Sequence, residues 1–76
     1  MSPPLELSRA ALALRQSPIP ALRRLALEES ETAVVIQGNV PSYYLKQLAQ
    51  EAVMPALAGR ALLNRVQVVR AAALRG

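Results

Sequence analysis

The amino-acid sequence predicts an α+β fold, a two-layer αββαβ sandwich in which a three-stranded mixed sheet carries two helices on one face. Three observations predict it. Two segments repeat apolar residues at the spacing of a single helix face. Three others alternate apolar and polar residues as strands do. Proline, glycine or short polar stretches separate these segments. At 76 residues the chain is expected to be one domain, with its core over about 7–69 and frayed or linking ends at 1–6 and 70–76.

The first helix is expected over 7–16. Leu7, Ala10, Ala11 and Leu14 take positions i, i+3, i+4 and i+7, and Arg9 and Arg15 fall on the other side. Ser17-Pro18-Ile19-Pro20 stops it, because proline disfavours helical geometry in the residue before it.

Residues 22–29 are expected to form the first strand, since Leu25 and Leu27 alternate with Arg24, Ala26 and Glu28. Leucine and alanine make it a mediocre strand on propensity alone. A short polar link at 29–32 implies a hairpin to the next strand.

The strongest strand is Ala33–Val40. Val34, Ile36, Gly38 and Val40 share the parity expected to face the core. Glycine in such a slot implies a neighbour too close for any side chain. Pro41 ends the strand, and Ser42 sits where a helix N-cap belongs.

The second helix is expected from Tyr43. Leu45, Leu48, Ala49, Ala52 and Val53 form its apolar stripe, with Tyr43, Lys46, Gln47, Gln50 and Met54 pointing away. Pro55 ends it near Val53 or kinks it, and Gly59 marks the exit. The last strand is expected over 62–69, with Leu62, Asn64, Val66 and Val68 inward and Leu63, Arg65, Gln67 and Val69 outward. The alanine- and arginine-rich stretch 70–76 reads as a frayed turn or a simple end.

Val34-Val35-Ile36-Gln37-Gly38-Asn39-Val40-Pro41-Ser42 resembles the V-x-L-x-G-x-V-x-S core of the BON domain, a bacterial osmotic-stress and nodulation domain. Leu62-Leu63-Asn64-Arg65-Val66-Gln67-Val68 is similar to its closing V-V-N-x-L-x-V. The resemblance spans roughly 7–69, carried by one glycine, one asparagine and hydrophobic spacing. Gly38, Pro41, Ser42 and Asn64 are its motif residues. Two features depart from it: Gly59 lies five rather than six residues before Asn64 and precedes Arg60, and Pro55 falls within the helix. The resemblance implies a two-layer domain that binds phospholipid or partner proteins, often at bacterial envelopes, without catalytic residues.

Composition narrows the chemistry. The chain has no histidine, cysteine or aspartate, so the usual Ser-His and Cys-His pairings are missing and disulfides are excluded. Glu28, Glu29 and Glu31 are the only clustered carboxylates, and a solvated turn is the plainer reading of them. No glycine-rich phosphate loop occurs. An enzyme is not expected, and neither is a cofactor or metal.

Nine Lys and Arg against five acids give a net charge of +4, with eight of the nine being arginine. Tyr43 and Tyr44 beside Lys46 suit an anionic membrane interface; the competing reading packs Tyr44 on the sheet edge. Arg23, Arg24, Arg60 and Arg65 would form a basic patch if the loop before the first strand lay near the entry to the third. Asn64 is read as structural, its amide serving backbone groups where the second helix hands over to the last strand.

The expected function is therefore a non-enzymatic module associating with anionic phospholipid or envelope-linked partners. An adaptor using the open sheet face or an edge strand is the alternative, and nucleic acid is not expected as a partner. The longest apolar run, residues 10–14, is too short to span a membrane. Residues 1–7 lack the pattern of a secretory leader, so the expectation is a cytoplasmic protein or a fragment of an envelope protein.

Overall fold

A computed structural model describes residues 8–69. The expectations for 1–7 and for the tail 70–76 lie outside them. The order of elements is α1 (Arg9–Arg15), α2 (Pro20–Arg23), β1 (Ala26–Glu29), β2 (Ala33–Val40), α3 (Tyr43–Val53) and β3 (Ala61–Val68), with a 3-10 turn, Met54–Ala56, after α3.

α1 starts where Ser8 accepts a hydrogen bond at Oγ from the Ala11 amide, 3.0 Å. Ala10 and Leu14 are buried, as the helical spacing requires. The next segment departs from the sequence expectation. Residues 22 and 23, read as strand, belong to the short helix α2, and β1 begins only at Ala26. The reason is local: Ser17 Oγ accepts from the Ile19 amide at 3.0 Å, and Pro20 takes the first helical position, where its fixed φ is pre-organised. Leu22 then drops into the core from a helix rather than from a strand.

β1 and β2 form the expected antiparallel hairpin, closed by Ser30, whose amide donates to the Ala33 carbonyl at 2.8 Å. β3 lies parallel to β2 on its other side, giving the sheet order β1-β2-β3. It starts one residue earlier than expected, yet the inward and outward parities hold, and the Val69 amide still donates to the Val40 carbonyl.

Val34, Ile36, Val40 and Val66 are buried on one side of the sheet, against Ala10 and Leu14 of α1, Leu22, Leu25, and Ala49 and Val53 of α3. All four strand residues are even-numbered, so both long helices pack on one face, and among the described residues the other face carries no helix. α3 ends at Val53, and Pro55 falls in the 3-10 turn that follows. Ala58 and Gly59 then adopt positive φ, 54° and 86°, and turn the chain back into β3.

Candidate functional site

The ends of the sheet differ, and connectivity sets the difference. β2 finishes at Val40, beside the start of β1 and the end of β3. Pro41 and Ser42 follow at once, and Ser42 Oγ accepts from the Leu45 amide at 3.2 Å, which opens α3 at this same end. Tyr43 and Tyr44 are therefore the first two helical residues, and neither ring finds cover. They are 68% and 70% exposed. Tyr44 does not pack on the sheet edge.

Arg23 and Arg24 stand at this end too, because Leu25, the residue that follows them, lies against Gly38. Arg23 is held in place by a 2.8 Å bond from its guanidinium to the Ser17 carbonyl, while Arg24 is exposed. Lys46, half-buried in the first turn of α3, adds a third cation, and no acid accompanies it in that turn. Arg15 approaches from the side, beside Leu25. It lies in the last turn of α1 and lines an open cleft of about 170 Å³ with Ala11, Leu14, Leu25 and Leu27. Periodicity places it only on an outer helix side; the proline-punctuated reversal after Gln16 is the feature that turns the chain from α1 back towards Leu25.

The four-arginine patch does not form. Its condition was that the loop before β1 approach the entry to β3, and the register forbids this: Ala61 pairs with Ala33, next to the hairpin, at the opposite end from Arg24. Arg60 is at that opposite end and is fully engaged. It donates from Nε to Leu57 O (2.8 Å), from Nη2 to Ala56 O (3.0 Å) and from Nη1 to Glu29 Oε1 (2.8 Å). That is the one ion pair among the described residues. Arg65 is separate again, mid-strand on the uncovered sheet face beside Gln37.

Charge is thus sorted along the strands. Arg23, Arg24 and Lys46, none in an ion pair among the described residues, stand at the tyrosine end, whereas Glu28, Glu29 and Glu31 gather on β1 and the hairpin; Arg9, beside the end of α3, and Arg65, mid-strand, are unpaired cations elsewhere. The Ser8 hydroxyl, and secondarily the Arg60 guanidinium, hold the Glu29 carboxyl below its ordinary 4.5, against the opposing effect of partial burial.

Asn64 is not at the exit of α3 but against its first turns. Its Nδ2 donates to the Lys46 carbonyl (3.1 Å) and to Gln50 Oε1 (3.4 Å), and its Oδ1 accepts from the Val66 amide (3.2 Å). Gln50 therefore turns towards β3 and not away from it, contrary to its place in the sequence pattern. Gly38 is likewise a packing residue, close against Leu25.

A second depression, an open groove of about 390 Å³, runs between α1 and the end of α3 along Arg9, Leu12, Gln16, Ala52 and Pro55. The two depressions are lined by aliphatic, arginine and amide side chains, and neither by a carboxylate, hydroxyl or phenol. Among the described residues no helix is long and apolar enough to cross a membrane. No family model, no curated protein and no solved structure matches the chain.

Proposed function

We propose that the chain is a non-catalytic BON-like module that docks peripherally on anionic phospholipid through the tyrosine end of its sheet. The observation that carries the reading is the pairing of two exposed rings, Tyr43 and Tyr44, with Arg23 and Arg24 at one end of the molecule while the acids crowd the other. Amphipathic rings seat at the headgroup level, and each basic residue close to an anionic surface is worth about 1 kcal/mol. The contact set is then Tyr43, Tyr44, Arg23, Arg24 and Lys46, with Arg15 at its margin; Arg60 belongs to the fold. The motif strand β2, running into its Pro41-Ser42 stop, places the rings, which fits the resemblance to BON domains.

Co-sedimentation with vesicles tests this. Binding is expected to phosphatidylserine-containing vesicles, to fall with added salt, and to be weak on phosphatidylcholine alone. Equal binding to both, or to neither, overturns it.

A second reading rests on a different observation. Leu63 and Val69 are 42% and 43% exposed on the face without helices, which suits a protein partner. NMR shift changes confined to Val35, Gln37 and Gln67 on adding such a partner would favour it.

A further inference from the structure

The uncovered face of the sheet is self-complementary. Register sets Glu28, Val35 and Leu63 side by side in one row across β1, β2 and β3, and Ala26, Gln37 and Arg65 in the next row on the same face. Ala33 and Ala61 follow on the hairpin side. Glu28 thus stands on the β1 flank and Arg65 on the β3 flank, with the apolar pair Val35 and Leu63 beside them. Two strand spacings and one row separate the two charges, about 12 Å between Cα atoms, too far to pair within one molecule. Both are exposed, and neither has an ion pair among the described residues.

We propose that this face docks on the same face of a second copy, about a two-fold axis parallel to the strands and passing over β2. Such an axis lays β2 on β2 and β1 on β3. Val35 then meets Val35 of the second copy, each Leu63 lies over the aliphatic stem of the opposing Glu28, and each Arg65 comes one row from that Glu28, within reach of its carboxylate. Two Arg65–Glu28 contacts form per dimer, as an isologous interface requires. Charge also selects the axis. A two-fold perpendicular to the strands would lay β1 on β1 and β3 on β3, setting Glu28 near Glu28 and Arg65 near Arg65.

The dimer stands independently of lipid, but its geometry has a consequence that rests on the lipid reading. An axis along the strands keeps both tyrosine ends pointing the same way, so one surface would meet two sites and bind with avidity. The face is a small one, so the association is weak and concentration-dependent.

Sedimentation equilibrium of the 76-residue chain, without lipid, tests the proposal. The expected mass rises with concentration from 8.2 kDa towards twice that value. Glu28→Arg and Arg65→Glu, each checked for folding by circular dichroism, are expected to weaken self-association by about tenfold or more through like-charge contacts. Mixing the two variants restores dimer, because each mixed pair regains both opposite-charge contacts. Three results overturn the proposal: a monomer up to millimolar concentration, a mixture no tighter than either variant alone, or a dimer indifferent to both reversals. None of them bears on vesicle binding, which is measured separately.

Discussion

Leu25 Cδ2 occupies the space that a side chain on Gly38 would need. A Cβ built there would lie 2.6 Å from that methyl and 3.5 Å from the Leu25 Cα, and φ at Gly38 is +138°. The strand keeps its pairing with β3 through this residue, Val66 lying opposite it, while the pairing with β1 ends one residue earlier at Gln37. Close approach and backbone geometry therefore both select glycine. Gly38→Ala is expected to cost about 2 kcal/mol or more, read as a lower urea midpoint at unchanged slope. Leu25→Ala in the same chain removes the clash but leaves the φ strain and adds a leucine-cavity penalty of about 2–5 kcal/mol, so the double variant should be less stable than Gly38→Ala but by less than Leu25→Ala costs alone.

Asn64 works at an edge. Ala61 and Val69 donate inward, to Thr32 and Val40, so the even-numbered amides of β3 face the open side of the sheet. Its Oδ1 covers one of them, on Val66, while Nδ2 ties the strand to the Lys46 carbonyl. Asn64→Asp swaps that donor for a charge aimed at two oxygens. We expect it to destabilise by about 1–3 kcal/mol at neutral pH, more than Asn64→Ala, which leaves the amide to solvent. The gap between the two variants should narrow in acid, once the new carboxyl is protonated and can donate. Thermal melts across the acid range measure it.

Much of this architecture was legible in the residues, and the failures have physical causes. Val34, Ile36 and Val40 alternate so regularly, and the stripe from Leu45 to Val53 is so strictly helical, that β2 and α3 come out nearly residue for residue. Gly38 announced a close neighbour; only the fold says that it is Leu25. α2 escapes the pattern because Pro18 and Pro20 end α1 while Pro20, at a first helical position, is also a start. The strand expected from Leu22 was correspondingly too long. Arg60 and Gln50 depart from the sequence pattern for another reason: their partners, Glu29 and Asn64, lie 31 and 14 residues away, and no periodicity reports a contact of that kind. The tyrosine end was legible as a pair of rings beside a lysine, but the arginines that join it depended on register.

The Glu29–Arg60 pair ties β1 to the entry of β3, with side chains 23% and 20% exposed. Because the carboxyl titrates below its ordinary 4.5, its contribution to stability is present above that pH and is lost as pH falls through the folded-state value. Glu29→Gln should therefore cost about 0.2–1 kcal/mol at neutral pH and flatten the acid limb of a stability–pH curve. Arg60→Ala should cost more, about 1–2 kcal/mol, since the carbonyls of Leu57 and Ala56 lose their guanidinium donors too. Urea titrations at several pH values separate the two effects. If Glu29→Gln leaves the acid limb unchanged, the Glu29 carboxyl, held by Ser8 and by Arg60, does not set the titration.

The division of the arginines between ends gives the lipid reading its sharpest discrimination. Arg24 lies at the tyrosine end without an ion pair among the described residues, and Lys46 lies one turn into α3. Arg24→Gln and Lys46→Gln should each weaken binding to phosphatidylserine-containing vesicles by about fivefold, roughly 1 kcal/mol per charge removed. Arg60→Gln removes the same formal charge from the whole chain, but from the opposite end and from within an ion pair with Glu29. It should leave vesicle affinity nearly unchanged while lowering the melting temperature. Net charge alone predicts equal losses for all three substitutions, because each takes the chain from +4 to +3. Tyr43→Ser with Tyr44→Ser separates the apolar contribution in turn: affinity should drop at every salt concentration, with the salt dependence retained, because the rings contribute burial rather than charge. A loss on Arg60→Gln equal to that on Arg24→Gln would show that the surface responds to overall charge, and the assignment of one docking end would be wrong.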